Sequence, residues 1–176
     1  MMRRVAAMAF MFAVLGSSLP SGAQQSQGAE KQSQAQPSGK KLEALFTAAE
    51  MPFTKTEDGR YIAVITVENN ESERFYVYLS ALGDDVNNEK LQIITMDFLL
   101  GQLPKGTNPS TALIKQIAQW NANLTFGKVV VYGNAIVYTN STWLARSDAD
   151  TLALDAALGH YASQDLRKEV APYLKQ

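Results

Sequence analysis

The chain has 176 residues, 46% of them hydrophobic and 19% charged, a composition that suits one folded domain. Sixteen Lys and Arg against seventeen Asp and Glu give a formal charge of -1, so no broad basic surface can follow a phosphate backbone and nucleic acid is set aside as a partner. With no Cys and one His, a disulfide scaffold is excluded and the usual Cys/His zinc sites cannot form within one chain; carboxylate-bound metals stay open.

Residues 1–23 carry Arg3 and Arg4, an apolar run from Val5 to Leu15, and small side chains at Ser21 and Ala23. This three-part layout is that of a secretory signal with cleavage after Ala23, and it predicts a periplasmic or secreted protein. The apolar run falls short of the ~20 residues a membrane-spanning helix needs, so no stable span is expected after processing; an uncleaved anchor is the alternative. No Cys follows the run, which excludes lipoprotein attachment, and Arg3-Arg4 reads as an ordinary charged n-region. Taking Arg3 and Arg4 from the sixteen basic residues leaves fourteen against seventeen acids, a charge of -3 for the processed chain.

From Gln24 to Lys40, six glutamines alternate with Ser, Gly, Ala and Pro37, and no aromatic or branched aliphatic residue appears. Such a segment cannot bury enough apolar surface to offset its ordering entropy, so 24–40 reads as a disordered Gln-rich linker and 41–176 as the folded domain.

Within that domain, Leu42, Leu45, Phe46 and Ala49 share one face of a short helix that stops before Pro52. The period then changes to two. Asp58-Gly59 joins a short strand near Phe53 to a strand over Tyr61–Val67, and polar loops lead into strands over Phe75–Leu79 and Leu91–Met96, an antiparallel meander. Thr111–Leu124 places Leu113, Ile117, Trp120 and Leu124 on one helical stripe, with Ile114 beside it. Gly133-Asn134 suits a type II′ turn between strands Phe126–Tyr132 and Ala135–Thr139, which sets Val131 opposite Ile136 and Val129 opposite Tyr138 as core residues. Ser147 reads as the N-cap of a helix whose buried face is Leu154, Leu158, Tyr161 and Ala162, and a last short helix over Leu166–Leu174 is weakened by Pro172. The fold class is α+β, an antiparallel sheet of meander plus hairpin with helices on one face, in the order α-β-β-β-β-α-β-β-α-α.

Two stretches carry a family likeness: Asp58-Gly59-Arg60-Tyr61, and above all Ile117-Ala118-Gln119-Trp120-Asn121-Ala122-Asn123-Leu124-Thr125-Phe126-Gly127-Lys128-Val129 running into the Gly133-Asn134 hairpin. They resemble the YbjN family of bacterial sensory-transduction regulators, over roughly residues 41–174. The resemblance implies a fold similar to type III secretion chaperones, small α+β modules that hold partner proteins without known catalysis. Family members are often cytoplasmic, so the signal segment is a departure from the pattern.

Little in the chain spells out chemistry. His160 is placed near the end of the Ser147 helix, where an imidazolium would suit the helix dipole; a catalytic base is weighed against a structural residue, and the absence of a G-x-S-x-G nucleophile favours the second. Asp84, Asp85 and Glu89 lack the order of a calcium loop and read as a solvated turn. Gly127 and Gly133 are explained by strand entry and turn geometry, with no phosphate-binding pattern.

The partner-binding candidates are aromatic and amide side chains. Tyr76 and Tyr78 alternate with Phe75, Val77 and Leu79, so if helices cover the Phe75 face the tyrosine face is left for a partner. Trp143 either packs under the last helices or forms an exposed anchor. Asn121 and Asn123 read as caps or turn formers, and their place in the family-like stretch makes them candidates too. Together these readings predict an exported, non-catalytic protein-binding module of the bacterial envelope, chaperone-like or regulatory, needing no cofactor or metal. Its partner is another envelope protein or, in the alternative, a copy of itself in a homodimer; an enzyme of unknown reaction ranks third.

Overall fold

The computed structural model describes residues 37–68, 71–82 and 91–174. The expected signal segment 1–23, most of the expected linker and the acidic loop with Asp84, Asp85 and Glu89 lie outside these residues.

Helix α1, Pro37–Ala48, begins with Pro37, whose missing N–H costs nothing in a first turn. Its start therefore lies inside the segment whose composition reads as linker, and Ser38 is fully buried. Leu42 and Phe46 are buried completely, one turn apart, with Leu45 and Ala49 packed beside them. Glu50 ends the helix in the left-handed region (φ 52°), and the Met51 N–H returns to the Phe46 carbonyl at 2.9 Å just before Pro52.

The strands are β1 (Phe53–Lys55), β2 (Tyr61–Thr66), β3 (Ser72–Ala81), β4 (Gln92–Gln102), β5 (Lys128–Tyr132) and β6 (Ala135–Trp143). They form one antiparallel sheet in the order β1-β2-β3-β4-β6-β5. The first four strands are the expected meander, with β3 and β4 longer than their apolar runs indicate. Helix α2, Thr111–Asn123, carries the chain from β4 to β5, and the β5–β6 hairpin folds back so that β6 lies against β4. Ser110 caps α2 by accepting from the Leu113 N–H at 3.2 Å.

The hairpin has the expected register, Val131 opposite Ile136 and Val129 opposite Tyr138. Gly133 supplies φ 60° while Asn134 keeps a negative φ, which is the type II′ pattern. Strand β5 starts at Lys128, two residues later than expected, because Gly127 (φ 65°) turns the chain there. A Cβ at Gly127 would lie 2.5 Å from the Thr139 carbonyl oxygen, so only glycine fits; Phe126 is left exposed.

The C-terminal region departs most from expectation. One continuous helix α3, Ala149–Val170, replaces the two expected helices, and a single 3-10 turn, Ala171–Tyr173, follows it. Asp148, not Ser147, is the N-cap and accepts from the Thr151 N–H at 2.8 Å; the Ser147 hydroxyl donates instead to the Trp143 carbonyl. The buried face of α3 is Leu152, Ala156, Gly159, His160, Ser163, Leu166 and Val170, while Leu154, Leu158 and Tyr161 face outward.

A close approach explains that choice of face. A Cβ on Gly159 would fall 2.2 Å from Cε2 of Phe98, so the helix can lie on β4 only with glycine there. Phe98 stacks on Phe75 with ring centres 4.7 Å apart and planes 11° from parallel. Around this pair, Val77, Ile94, Met96, Val129, Ile136 and Tyr138 turn the same face of the sheet toward the helices. Burying each such side chain stabilises the fold by about 1.5–3 kcal/mol. Helix α1 meets α3, α2 packs on β5, and α3 packs on β2, β4 and β6.

Candidate functional site

Alternation along the strands leaves the opposite face of the sheet to Tyr76 and Tyr78 of β3, Thr95, Asp97 and Leu99 of β4, Val137 and Thr139 of β6, and Tyr132 of β5. No described helix packs on this face. Four large side chains on it are substantially exposed: Tyr76 44%, Leu99 42%, Tyr132 52% and Trp143 38%. They are spread along the face, with Trp143 and the Tyr132 partner Ala135 at opposite ends of β6, while Thr95, Val137 and Thr139 between them are buried.

The face is ordered by polar contacts between strands. Arg60 lies with its guanidinium carbon 5.4 Å from the Tyr76 ring centre, and Asp58 holds it there through bonds of 2.7 Å to Nε and 2.6 Å to Nη2. The Arg60 pairing in turn holds the Asp58 carboxyl down, to about 2. In register with Tyr76 is Asp97, at the centre of the face. Burial pushes the Asp97 carboxyl up; the hydroxyls of Thr139 and Tyr78 and the charge of Arg60 oppose that shift. Its Oδ1 is buried without a hydrogen-bond partner. Tyr78 is half-buried, and burial, the Asp97 carboxylate and a hydrogen bond with Tyr132 all push its hydroxyl well above the ordinary tyrosine range.

The structure brings together three of the five candidate residues. Tyr76 and Tyr78 stand on the open face, and Trp143 joins them because it pairs with Ile93, whose neighbour Ile94 points into the helix layer. Trp143 does not pack under the last helix. Asn121 and Asn123 are elsewhere, at the end of α2. The Asn121 side chain donates to the Val129 carbonyl at 2.9 Å and accepts the Val129 N–H at 2.6 Å, so it closes the outer edge of β5 instead of presenting its amide to a partner. Asn123 is exposed beside the groove between α2 and α3.

His160 is in the middle of α3, not near its end, so the helix-dipole argument does not apply. It is 3% exposed, and its Nδ1 lies 2.7 Å from Oε2 of Glu73. Ser163 and Arg167, from the same helix face, complete the surroundings of the Glu73 carboxylate, with Ser163 Oγ 3.2 Å from Oε2 and Arg167 Nη2 on Oε1. His160 Nε2 is buried without a hydrogen-bond partner, 3.7 Å from Oε2 of Glu71. The Ser163 hydroxyl meets the His160 carbonyl and Glu73, not the imidazole, so the three do not form a nucleophile–base relay. They pin the helix to β3 with a buried, partnered charge. Glu73 was legible in principle: counting back by two from the inward Val77 and Phe75 places it on the helix side.

The structure defines the chain as an α+β protein with a six-stranded antiparallel sheet, helices on one face and an aromatic, partly polar surface on the other. No family model matches it, and no curated protein matches it. Among solved structures it is similar to the type III secretion chaperone SycH of Yersinia pestis, solved in complex with a stable fragment of YscM2. The two share 13% identity at a TM-score of 0.43, over 73% of this chain and 98% of that chain.

Proposed function

We propose that the protein is an exported, non-catalytic binding module of the bacterial envelope, chaperone-like or regulatory, related to the YbjN proteins, that holds another protein against its open sheet face. The observation that carries this reading is that Tyr76, Leu99, Tyr132 and Trp143, each more than a third exposed, all stand on the one sheet face that no described helix covers. Tyrosine and tryptophan suit such a role because each offers a large apolar body with a polar tip and few rotatable bonds to immobilise. Export is supported by the Arg3-Arg4, Val5–Leu15 and Ser21-Gly22-Ala23 pattern.

The test is recovery of a cross-linked partner from the native envelope by the wild-type protein and by a Tyr76→Ala, Tyr78→Ala double variant. Recovery should fall at least about tenfold with the domain still cooperatively folded, since truncating interface aromatics costs ~2 kcal/mol or more. Equal recovery by the double variant would discard this surface. Sedimentation of the processed protein distinguishes the self-associating alternative, which requires a stable dimer that the same two substitutions dissociate.

A further inference from the structure

Away from the sheet face, α2 and α3 diverge to leave a groove of about 650 Å³. That volume lies within the ~300–1,000 Å³ typical of small-molecule sites. The apolar surface comes from Trp120 and Leu124 of α2 and from Ala162 and Leu166 of α3. The two rims differ in kind. Gln116, Gln119 and Asn123 line the α2 side with neutral carboxamides at i, i+3 and i+7, whereas Asp165 and Glu169 line the α3 side with carboxylates.

Among the described residues, no lysine, arginine or histidine lines the groove. Asp165 has a partner in Lys168 at 2.9 Å, but those two side chains are 79% and 76% exposed, so water competes with the pair and a ligand can displace it. Glu169 is held differently: the Trp120 indole N–H donates to its Oε2, which fixes the carboxylate at the junction of the two helices and leaves Oε1 for another donor. An aromatic ring, a positioned carboxylate and an apolar floor are what an organic cation requires.

We propose that this groove binds a small organic cation, an ammonium or guanidinium head on an apolar body. The head is met by Glu169 and Asp165, the body lies over Trp120, Leu124 and Leu166, and the carboxamides of α2 satisfy any further polar atoms. A small molecule fits better than an extended peptide because the walls are helix side chains. The backbone N–H and C=O groups of the helix interiors are already bonded, so an extended chain finds no strand edge to pair with.

The experiment is a two-dimensional ¹⁵N NMR titration of the purified protein with 2-phenylethylammonium, with neutral 2-phenylethanol and anionic 3-phenylpropanoate as controls. The amine should shift the Trp120 indole and the Gln116, Gln119 and Asn123 side-chain signals saturably while the Trp143 indole stays in place. The alcohol and the acid should bind at least about tenfold more weakly, the scale of one charge-assisted hydrogen bond. Glu169→Gln combined with Asp165→Asn should bring the amine down to the affinity of the alcohol. Asp165→Asn alone, which changes only an exposed side chain, should weaken it partway, and added salt should weaken the amine without affecting the alcohol. Equal binding of amine and alcohol, an unchanged amine affinity in the double variant, a salt-independent amine affinity, or no saturable Trp120 shift would each overturn the proposal.

Discussion

The two faces of the sheet solve the same problem in opposite ways, and their carboxylates show it most directly. On the helix side, Glu73 is buried and receives His160, Ser163 and Arg167, three partners from successive turns of α3. On the open side, Asp97 is half-buried, with the hydroxyls of Thr139 and Tyr78 and the charge of Arg60 acting on it and Oδ1 left unmet. The helix side is completed by elements of its own chain. The open side is organised by Arg60 over Tyr76 and by the hydroxyls of Tyr78 and Thr139 at Asp97, without being closed by a described helix. Its aromatic residues are exposed tyrosines and a tryptophan, whereas on the helix side Phe75 and Phe98 stack and the buried Tyr61 and Tyr138 donate their hydroxyls to Glu43 and to the Phe126 carbonyl. What separates the faces is exposure of the ring and its polar tip, not the type of ring.

The sharpest way to break this comparison uses neighbours on one strand. Phe75 is 1% exposed and Tyr76 is 44% exposed, one residue apart on β3. Phe75→Ala should cost about 3–5 kcal/mol, from lost burial plus the cavity left against Phe98. Tyr76→Ala should stay within about 0.5 kcal/mol of wild type, as surface changes do. Chemical denaturation of the two variants reads both values. A cost at Tyr76 approaching that at Phe75 would mean that the open face is part of the core.

Gly159→Ala sharpens the comparison from the helix side. Alanine favours a helix interior over glycine by ~1 kcal/mol. Here the added Cβ meets the Phe98 ring at 2.2 Å, and overpacking of a filled core costs about 1–3 kcal/mol. The expected outcome is net destabilisation, with partial recovery when Phe98→Leu is combined with it. A lone Gly159→Ala that raises the unfolding midpoint would contradict the close seating of α3 on β4.

That seating also explains what could and could not be read from the chain. The hairpin register was legible because Gly133-Asn134 admits one turn geometry and the turn sets every pair outward from it. The tyrosine face was legible from simple alternation on β3. The inward face of α3 was not, because a helix lying close to a sheet needs small residues where it touches. Ala156, Gly159 and Ser163 supply them, and none carries a strong apolar signal. The large apolar residues Leu154, Leu158 and Tyr161 share a helical face of their own and point outward, so hydropathy alone selects the wrong stripe. Pro172 suggested a separate last helix, but it sits in the 3-10 turn after Val170 and interrupts nothing. Asn121 drew attention by its place in the family-like stretch, and its role at the edge of β5 depends on a contact eight residues ahead that spacing does not reveal.

The smallest expected effect is at Asp97, and it tests whether the open face carries strain that a partner could relieve. Burial raises the folded-state pKa of this carboxyl above its unfolded value of about 3.9. Between those two values the native state therefore holds more of the proton than the unfolded chain, and stability falls as pH rises through that window. Below the unfolded value both states are protonated and the loss is absent. Asparagine has nearly the same shape and no charge to desolvate, so Asp97→Asn should match wild type in acid and become the more stable of the two as pH rises above about 4. Thermal unfolding of both proteins across pH measures the gap. A gap that is constant with pH would assign the difference to packing, whereas one that opens with pH locates an unmet negative charge at the centre of the surface left free for binding.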